Sequence, residues 1–182
     1  MNEGDDAHLV ETGLASEVVF AGQLLEVRSD RVRLPDGAEA TREFVVHPGA
    51  ALVVPVLADG RLVLERQFRY PVRRVMLEFP AGKIDAGETS LTTAQRELVE
   101  EIGYTASSWS PLGTIHPVVG YSTEFIDIFE ATDLTHVGAR LDEGEFLEVV
   151  TMTEDELLAQ FDCGFVTDGK TVAALFAWLR RR

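Results

Sequence analysis

The chain is poor in several features that define particular classes of protein. It has one cysteine, Cys163, which excludes an intramolecular disulfide and a zinc site built from cysteine thiolates. Its longest apolar run, residues 50–57, is too short to span a bilayer and contains Pro55. The N-terminal residues lack the basic start and the apolar stretch of a signal peptide, so we expect a cytoplasmic protein.

Positive charge is scarce as well. The formal net charge is −15, which argues against binding of a nucleic acid polymer, because such binding needs a basic surface. A small phosphorylated ligand is still compatible with this charge, since metal ions and a few arginines can neutralise it locally. The arginine fork fits phosphate, and five arginines cluster between positions 61 and 74: Arg61, Arg66, Arg69, Arg73 and Arg74.

The first part of the chain is predicted to be a β-meander. Strand-forming residues occur over 16–27, 30–34 and 40–47, and Pro35, Asp36 and Gly37 form a turn between the last two segments. The apolar content of 46% is enough for one core of ordinary size, and no internal repeat or low-complexity linker interrupts it.

The rest of the chain alternates predicted strands and helices. Two strands are expected at 51–57 and 61–68, and the Asp59-Gly60 pair between them is typical of a hairpin. Further strands are predicted at 109–116, 124–131 and 145–151. A helix over 154–161 begins after Thr153, with Glu156 at the reciprocal capping position, and a final helix spans roughly 168–180. The final helix is expected to bury Val172, Leu175, Phe176 and Leu179.

Residues 82–104 read GKIDAGETSLTTAQRELVEEIGY and predict a loop followed by a helix. Thr89 and Ser90 can cap its N-terminus and Gly103 can end it, which gives a helix of about 12–14 residues. One stripe of this helix is expected to face the core, and it consists of Leu91, Ala94, Leu98 and Ile102.

The same helix carries three acidic residues on one face. Glu97 and Glu101 lie one turn apart, and Glu100 lies beside them. Crowded carboxylates repel one another unless a cation lies among them, and Mg²⁺ or Mn²⁺ suits such oxygen ligands. The alternative interpretation is a solvated acidic face in which Arg96 pairs with Glu100 at i, i+4.

The segment matches the pattern G-x5-E-x7-R-E-U-x-E-E-x-G-U, where U is a bulky apolar or aromatic residue, at every fixed position. In this respect the chain resembles the Nudix hydrolases. That resemblance implies an α/β/α sandwich with a mixed sheet and a metal-dependent cleavage of a diphosphate linked to a nucleoside. Residues 48–182 would be the Nudix domain. Residues 1–47 would be an N-terminal tail and antiparallel β-meander, of the kind that similar enzymes use to form a homodimer.

Segments 65–72 and 77–88 further resemble the ADP-ribose pyrophosphatases of that family. By this resemblance Arg69 contacts the diphosphate or ribose, and Arg42 lies over the adenosine half. The alternative for each arginine is a surface salt bridge with a glutamate such as Glu43 or Glu65. Residues 120–124 match the family pattern P-G-x-S-x-E except that Val119 replaces its proline, which leaves substrate choice open. Gly82, Gly120 and Ser122 complete the predicted substrate contacts.

The resemblance also implies the catalytic residues. The metal ligands would be Glu97, Glu101 and the carbonyl of Ala81, with Glu100 or Glu145 as a further ligand. Glu143 or Glu145, in a loop that Gly144 allows to move, would be the general base, unless both belong to an acidic surface loop. Arg96 would hold the acidic residues of the motif, including Glu88, in position.

The expected reaction converts ADP-ribose to AMP and ribose 5-phosphate. Two alternatives remain: hydrolysis of another nucleoside-diphosphate sugar such as GDP-mannose, and a non-catalytic sensor of nucleotide sugars.

Overall fold

The computed structural model of the protein describes residues 6–141 and 143–181. Its backbone contacts divide the chain into two compact units. The N-terminal unit contains the described residues up to His47 and, from later in the chain, Val118–Glu124. The C-terminal unit contains Pro48–Pro117 and the described residues from Phe125 onward.

The N-terminal unit is an antiparallel meander of three strands, β1 (Thr12–Ala21), β2 (Glu26–Arg33) and β3 (Glu39–Val46), in the order β1-β2-β3. The β-structure predicted over 16–27 is present but belongs to two strands, β1 and β2. The chain turns between β1 and β2, where the amide of Gly22 donates to the carbonyl of Leu25 at 2.8 Å. Apolar residues continue on both sides of this turn, so hydrophobic pattern alone did not reveal it.

The outer edge of β3 is occupied by residues from the 118–124 segment. The amide of Val45 donates to the carbonyl of Tyr121 at 2.8 Å, and the amide of Thr123 donates to the carbonyl of Val45 at 3.0 Å. The hydroxyl of Thr123 also accepts from the amide of His47 at 2.8 Å. This pairing explains why a segment distant in sequence belongs to the N-terminal unit.

The C-terminal unit contains seven strands, three α-helices and a short 3₁₀ turn at Tyr70–Val72 in its described part. One sheet is mixed, in the order β7-β4-β9-β8, with β4 parallel to β9, and the other is antiparallel, in the order β10-β5-β6. The elements are β4 (Ala50–Pro55), β5 (Leu62–Arg69), β6 (Arg74–Glu78), β7 (Ala81–Lys83), α1 (Ser90–Glu100), β8 (Tyr104–Ile115), β9 (Ile126–His136), β10 (Leu147–Met152), α2 (Glu154–Asp162) and α3 (Gly169–Leu179).

Strand β4 is buried on both faces and lies between two hydrophobic clusters. Leu52 packs in the cluster that contains Trp178 of α3, whereas Val53 packs in the cluster that contains Leu98 of α1. Successive strand residues point to opposite faces, so the sheet separates α1 from α3. This arrangement confirms the predicted α/β/α sandwich with a mixed sheet and N-terminal antiparallel strands.

The turn at Asp59-Gly60 forms, with the amide of Gly60 donating to the carbonyl of Leu57 at 2.9 Å. However, β4 and β5 belong to different sheets, and beside the turn Leu62 forms an isolated bridge with Val56, which follows the end of β4. The predicted hairpin is therefore correct as a turn and wrong as a two-stranded ladder. A local turn signal does not determine which strands pair afterwards.

Two predicted core residues are exposed. Leu91 of α1 is 38% exposed and Phe176 of α3 is 66% exposed, while Thr93 and Trp178 are buried on the same helices. The predicted N-terminal cap of α2 is present, since Thr153 and Glu156 form a complete capping box there. Within the described residues, no helix is long and apolar enough to cross a membrane.

Candidate active site

Helix α1 and the loop before it position the acidic residues. The hydroxyl of Thr89 caps the helix by accepting from the amide of Thr92 at 3.2 Å. After α1 the chain leaves through Gly103, whose φ of 73° is readily adopted by glycine. Ala94 and Leu98 anchor the opposite side in the core, with both side chains fully buried. The caps and this packing fix the rotation of the helix about its axis.

Glu97 and Glu101 are buried, with 9% and 4% of their surface exposed. Burial raises the pKa of both carboxyl groups, because desolvation disfavours the charged form. The negative charges of Glu65, Glu97 and Glu145 raise the pKa of Glu101 further. One hydrogen bond opposes this effect: the amide of Ala81 donates to Oε2 of Glu101 at 2.9 Å. The two carboxylates thus lie beside β7 in a site that favours a compensating cation.

Gly82 of β7 lies directly against Glu97. A β-carbon on residue 82 would lie 1.7 Å from Oε1 of Glu97 and 2.0 Å from its Cδ. Both distances are far below van der Waals contact, so a side chain at position 82 would displace the carboxylate of Glu97 from this position. The glycine that begins the sequence motif therefore has a steric role beside Glu97.

Arg96 donates hydrogen bonds to four groups of α1 and of the chain before it, and it also lies 3.9 Å from the carboxylate of Asp85. Its Nη1 donates to Oε1 of Glu97 at 2.7 Å and to Oε2 of Glu100 at 2.8 Å. Its Nη2 donates to Oε2 of Glu88 at 3.1 Å and to the carbonyl of Lys83 at 3.2 Å. Hydrogen bonds from Arg96, and then from Thr93, lower the pKa of Glu88 to about 2. Arg96 therefore ties the loop to the helix, and Glu100 is held by it.

The two candidate bases occupy different environments. Glu145 is half-buried, and its Oε1 accepts from Nε2 of Gln67 on β5 at 3.2 Å. The negative charge of Glu145 raises the pKa of both Glu97 and Glu101. Glu143 is exposed in a turn. Of this pair, Glu145 is the one that the structure brings to the acidic site.

Glu65 of β5 is a site residue that the sequence analysis considered only as a salt-bridge partner. Its side chain is completely buried, and among the described residues neither carboxylate oxygen has a hydrogen-bond partner. Burial raises the pKa of Glu65, an effect that Arg69 partly opposes and Glu78 strengthens. A glutamate that directly follows the apolar residues Leu62–Leu64 was the available signal, because an acidic residue there is costly without a function.

Arg69 lies at the end of β5 and is paired with a buried acid. Its Nε and Nη2 donate to the two carboxylate oxygens of Glu78, each at 2.9 Å, and Lys170 of α3 also contacts Glu78. Glu78 is 1% exposed, whereas the side chain of Arg69 remains 39% exposed. These three residues, together with Met76 and Asp168, line a hollow of about 350 Å³. The alternative of a salt bridge with a glutamate such as Glu65 is thus present, with Glu78 as the partner.

Arg42 lies in the N-terminal unit, where its Nε and Nη2 donate to the carboxylate of Glu11 at 3.0 and 2.5 Å. The expected alternative of a surface salt bridge is thus present with a different partner from Glu43. Arg42 nevertheless lines a hollow of about 200 Å³ that also includes Gly120, Tyr121 and Ser122. Three of the predicted substrate contacts, Arg42, Gly120 and Ser122, therefore share one surface of this unit.

The matches to domain families agree with this arrangement. The NUDIX domain matches residues 46–175, which is more than half of the chain. The chain belongs to the Nudix family. Its N-terminal residues 11–45 match a second family, the nucleoside diphosphate sugar hydrolase N-terminal domain. The resemblance found from residues 82–104 is confirmed by both matches.

The similarity to individual proteins extends over nearly the whole chain. The ADP-ribose pyrophosphatase of Bacillus subtilis (strain 168) is 37% identical over 169 residues, covering 92% of this chain and 91% of the relative. A methanol dehydrogenase activator of Bacillus methanolicus is 35% identical over 167 residues, covering 91% and 90%. A crystal structure of an ADP compounds hydrolase superposes with a TM-score of 0.83 at 28% identity, covering 94% of this chain and 96% of that one.

Nudix hydrolases generally need a divalent metal, and the donor set here fits one. Glu97 and Glu101 are buried oxygen donors with raised pKa values, beside the backbone of Ala81 and Gly82. In residues 6–141 and 143–181, no three carboxylate, imidazole or thiol groups already converge as a metal-binding set.

Proposed function

We propose that this Nudix protein hydrolyses the diphosphate of ADP-ribose to AMP and ribose 5-phosphate with Mg²⁺, and that Mn²⁺ can replace Mg²⁺. Two comparisons support this substrate: the B. subtilis relative is named for ADP-ribose, and the structural relative for ADP compounds. The observation that carries the proposal is the burial of Glu97 and Glu101 side by side on α1. Two such carboxylates in a low-dielectric site favour a divalent cation.

The metal ligands in this proposal are Glu97, Glu101 and the carbonyl of Ala81, with Glu145 as a further donor. When bound, a divalent ion supplies positive charge to the diphosphate oxygens as a P–O bond breaks. Arg96 orients the carboxylate of Glu97 through a hydrogen bond of 2.7 Å, so this carboxylate is already positioned before substrate binds. Glu100 remains a partner of Arg96 and so acts on the site through that arginine.

The general base in this proposal is Glu143 or Glu145, which accepts a proton from the attacking water. The water oxygen forms a bond to phosphorus in line with the bridging oxygen, and the P–O bond on the opposite side breaks. The displaced monoester leaves with the bridging oxygen. Arg69, partly exposed beside Glu78, would neutralise nonbridging oxygens of the diphosphate. Arg42, Gly82, Gly120 and Ser122 are the other proposed substrate contacts.

A second candidate is another nucleoside-diphosphate sugar such as GDP-mannose. The N-terminal match to a nucleoside diphosphate sugar hydrolase domain favours this wider class. The proposed mechanism is the same for both, because the acidic site would act on the diphosphate that these substrates share. The nucleobase pocket would then decide between them.

Product analysis tests the proposal directly. The purified protein, incubated with Mg²⁺, should release AMP and ribose 5-phosphate from ADP-ribose faster than it cleaves GDP-mannose, other nucleotide sugars or nucleoside triphosphates, as measured by anion-exchange chromatography. Faster cleavage of GDP-mannose would select the second candidate. Tight binding of nucleotide sugars without any cleavage would select the non-catalytic sensor.

The matched variant is Glu101→Gln, which removes charge and preserves volume. We expect turnover to fall by several orders of magnitude while the circular dichroism spectrum is unchanged. EDTA should abolish activity of the parent and added Mg²⁺ should restore it. Near-normal turnover of Glu101→Gln would reject the metal assignment.

A further inference from the structure

The carboxylate of Glu65 is in an energetically unfavourable position. It is completely buried, and both oxygens lack a hydrogen-bond partner among the described residues. An unpaired buried polar group typically costs a few kcal/mol, and an ionised one costs more. Native structures keep such groups where a partner or a ligand is present in the working protein.

The cations nearest to Glu65 are already engaged. Glu65 lies directly across the β5–β6 ladder from Glu78, and Glu78 accepts from both Arg69 and Lys170. Asp168 accepts from Lys170 as well, at 3.0 Å. These two cations stabilise Glu65 only through space, and they leave its oxygens without a donor.

The other charged neighbours of Glu65 are acidic residues of the active site. After burial itself, Glu65 is the strongest influence on Glu101, and the charge of Glu145 acts on Glu65 in turn. Val63, two residues before Glu65 on β5, packs in the cluster that contains Leu98 of α1, so Glu65 lies on the face of the strand that is turned toward the helix of the proposed metal ligands. A divalent cation near Glu101 would be the missing partner.

A second residue on the same face of β5 supports this conclusion. Gln67 is two positions after Glu65, so both side chains point to the same side of the strand. Gln67 donates to Glu145, and its own Oε1 is also buried without a partner. Glu65 and Gln67 thus contribute three of the four unpaired buried side-chain oxygens found in residues 6–141 and 143–181. A row of oxygens without donors suits a hard cation.

We propose that Glu65 is a further oxygen ligand of the divalent cation bound by Glu97 and Glu101. This inference rests on the proposed metal dependence and adds a strand, β5, to a site otherwise built from α1 and the backbone of β7. The three carboxylates are buried and carry like charges, so a divalent cation bound among them would offset their mutual repulsion.

The test measures metal binding without substrate. Mn²⁺ is titrated into the parent, Glu65→Gln and Glu65→Asp by isothermal calorimetry, and free Mn²⁺ is counted by electron paramagnetic resonance. Glu65→Gln keeps the shape of the side chain and removes its charge, whereas Glu65→Asp keeps the charge and withdraws the oxygens by one methylene. Both variants should bind Mn²⁺ about ten- to a hundredfold more weakly than the parent.

Two controls make the result specific. Glu101→Gln should lose affinity at least as strongly as Glu65→Gln. Glu148→Gln, on the neighbouring strand β10, removes the same charge from a side chain that is 64% exposed and paired with Arg66, and it should bind Mn²⁺ like the parent. Thermal melts monitored by circular dichroism verify that each variant is folded. If Glu65→Gln does not fold, the Mn²⁺ affinity of Glu65→Asp tests the role of Glu65.

The outcomes separate this inference from the proposed function. Parent-like affinity and stoichiometry in the folded Glu65 variants, together with weak binding by Glu101→Gln, would overturn the role of Glu65 and leave the metal site intact. A parent protein that binds no divalent ion would instead overturn the proposed metal dependence.

Discussion

Replacement of Gly82 by alanine tests the geometry of the acidic site with a single methyl group. The new β-carbon would lie 1.7 Å from Oε1 of Glu97, whereas non-bonded heavy atoms approach to about 3.5 Å. The carboxylate must therefore move by roughly 1.5 Å or more, and its hydrogen bond from Arg96 at 2.7 Å must stretch or break. Gly82 does not have a positive φ, so the substitution tests space and not backbone strain.

The expected cost of Gly82→Ala has two parts. Overpacking should lower the free energy of unfolding by about 1–3 kcal/mol, which corresponds to a fall in melting temperature of about 2–4 °C per kcal/mol for a chain of this size. Misplacement of Glu97, a proposed metal ligand, by more than 1 Å should reduce kcat/KM for ADP-ribose by about a hundredfold or more. Differential scanning calorimetry and product release at saturating Mg²⁺ measure the two effects separately.

Two further variants show whether the contact with Glu97 causes the losses of stability and activity expected in Gly82→Ala. Gly13→Ala introduces the same methyl group in β1, where no atom lies within 4 Å, and both quantities should match the parent. Glu97→Asp in the Gly82→Ala background withdraws the carboxylate by one methylene, so it should recover at least about 0.5 kcal/mol of stability but not the lost turnover. Parent-like stability and turnover in Gly82→Ala alone would refute the described contact.

Three other predictions concern the loop, the base and the N-terminal strands. Because hydrogen bonding to Arg96 lowers the pKa of Glu88 to about 2, Glu88→Gln should be less stable than the parent at pH 7. The difference in stability should disappear as the pH falls from about 4.5 to 2, and urea unfolding across this range measures it. A difference in stability that does not depend on pH would contradict the prediction. Glu143→Gln should slow the chemical step by about 10²–10⁴-fold with little change in metal requirement, whereas Glu145→Gln should also raise the Mg²⁺ concentration for half-maximal rate. If Mg²⁺ titrations of the two variants give the reverse pattern, the two roles are exchanged. If both variants behave like the parent, both residues belong to an acidic surface loop. Residues 14–47 are predicted to form a homodimer, so light scattering should give about twice 20.1 kDa, and a fully active monomer at micromolar concentration would disprove this.

The strands and helices that could be predicted are those with a strong local signal. The capping box at Thr153 and Glu156 specifies α2 within one turn of sequence, and the motif at 82–104 specifies the loop, α1 and its acidic face. Pairing partners depend on distant residues and could not be predicted in this way. β5 pairs with β10, which follows it by about eighty residues, and no local pattern indicates that choice.

The site shows the same division between local and distant information. Glu97, Glu101 and Arg96 come from one motif, so their proximity follows from helix geometry. The involvement of Glu65, Gln67 and Lys170 arises only when β5 and α3 pack beside β6. The exposure of Phe176 could not be predicted from the sequence either, because α3 has apolar residues on more than one side and each of these sides could have faced the core.

The contribution of residues 118–124 to the N-terminal unit has a consequence for synthesis on the ribosome. The edge of β3 near Val45 cannot receive its partners Tyr121 and Thr123 until more than seventy-five further residues have been translated. At about 5–20 residues per second, the three-stranded meander waits several seconds with that edge unpaired. A nascent chain stalled before residue 118 should therefore expose this edge to proteases or to other strands, and a chain stalled after residue 124 has left the exit tunnel should protect it.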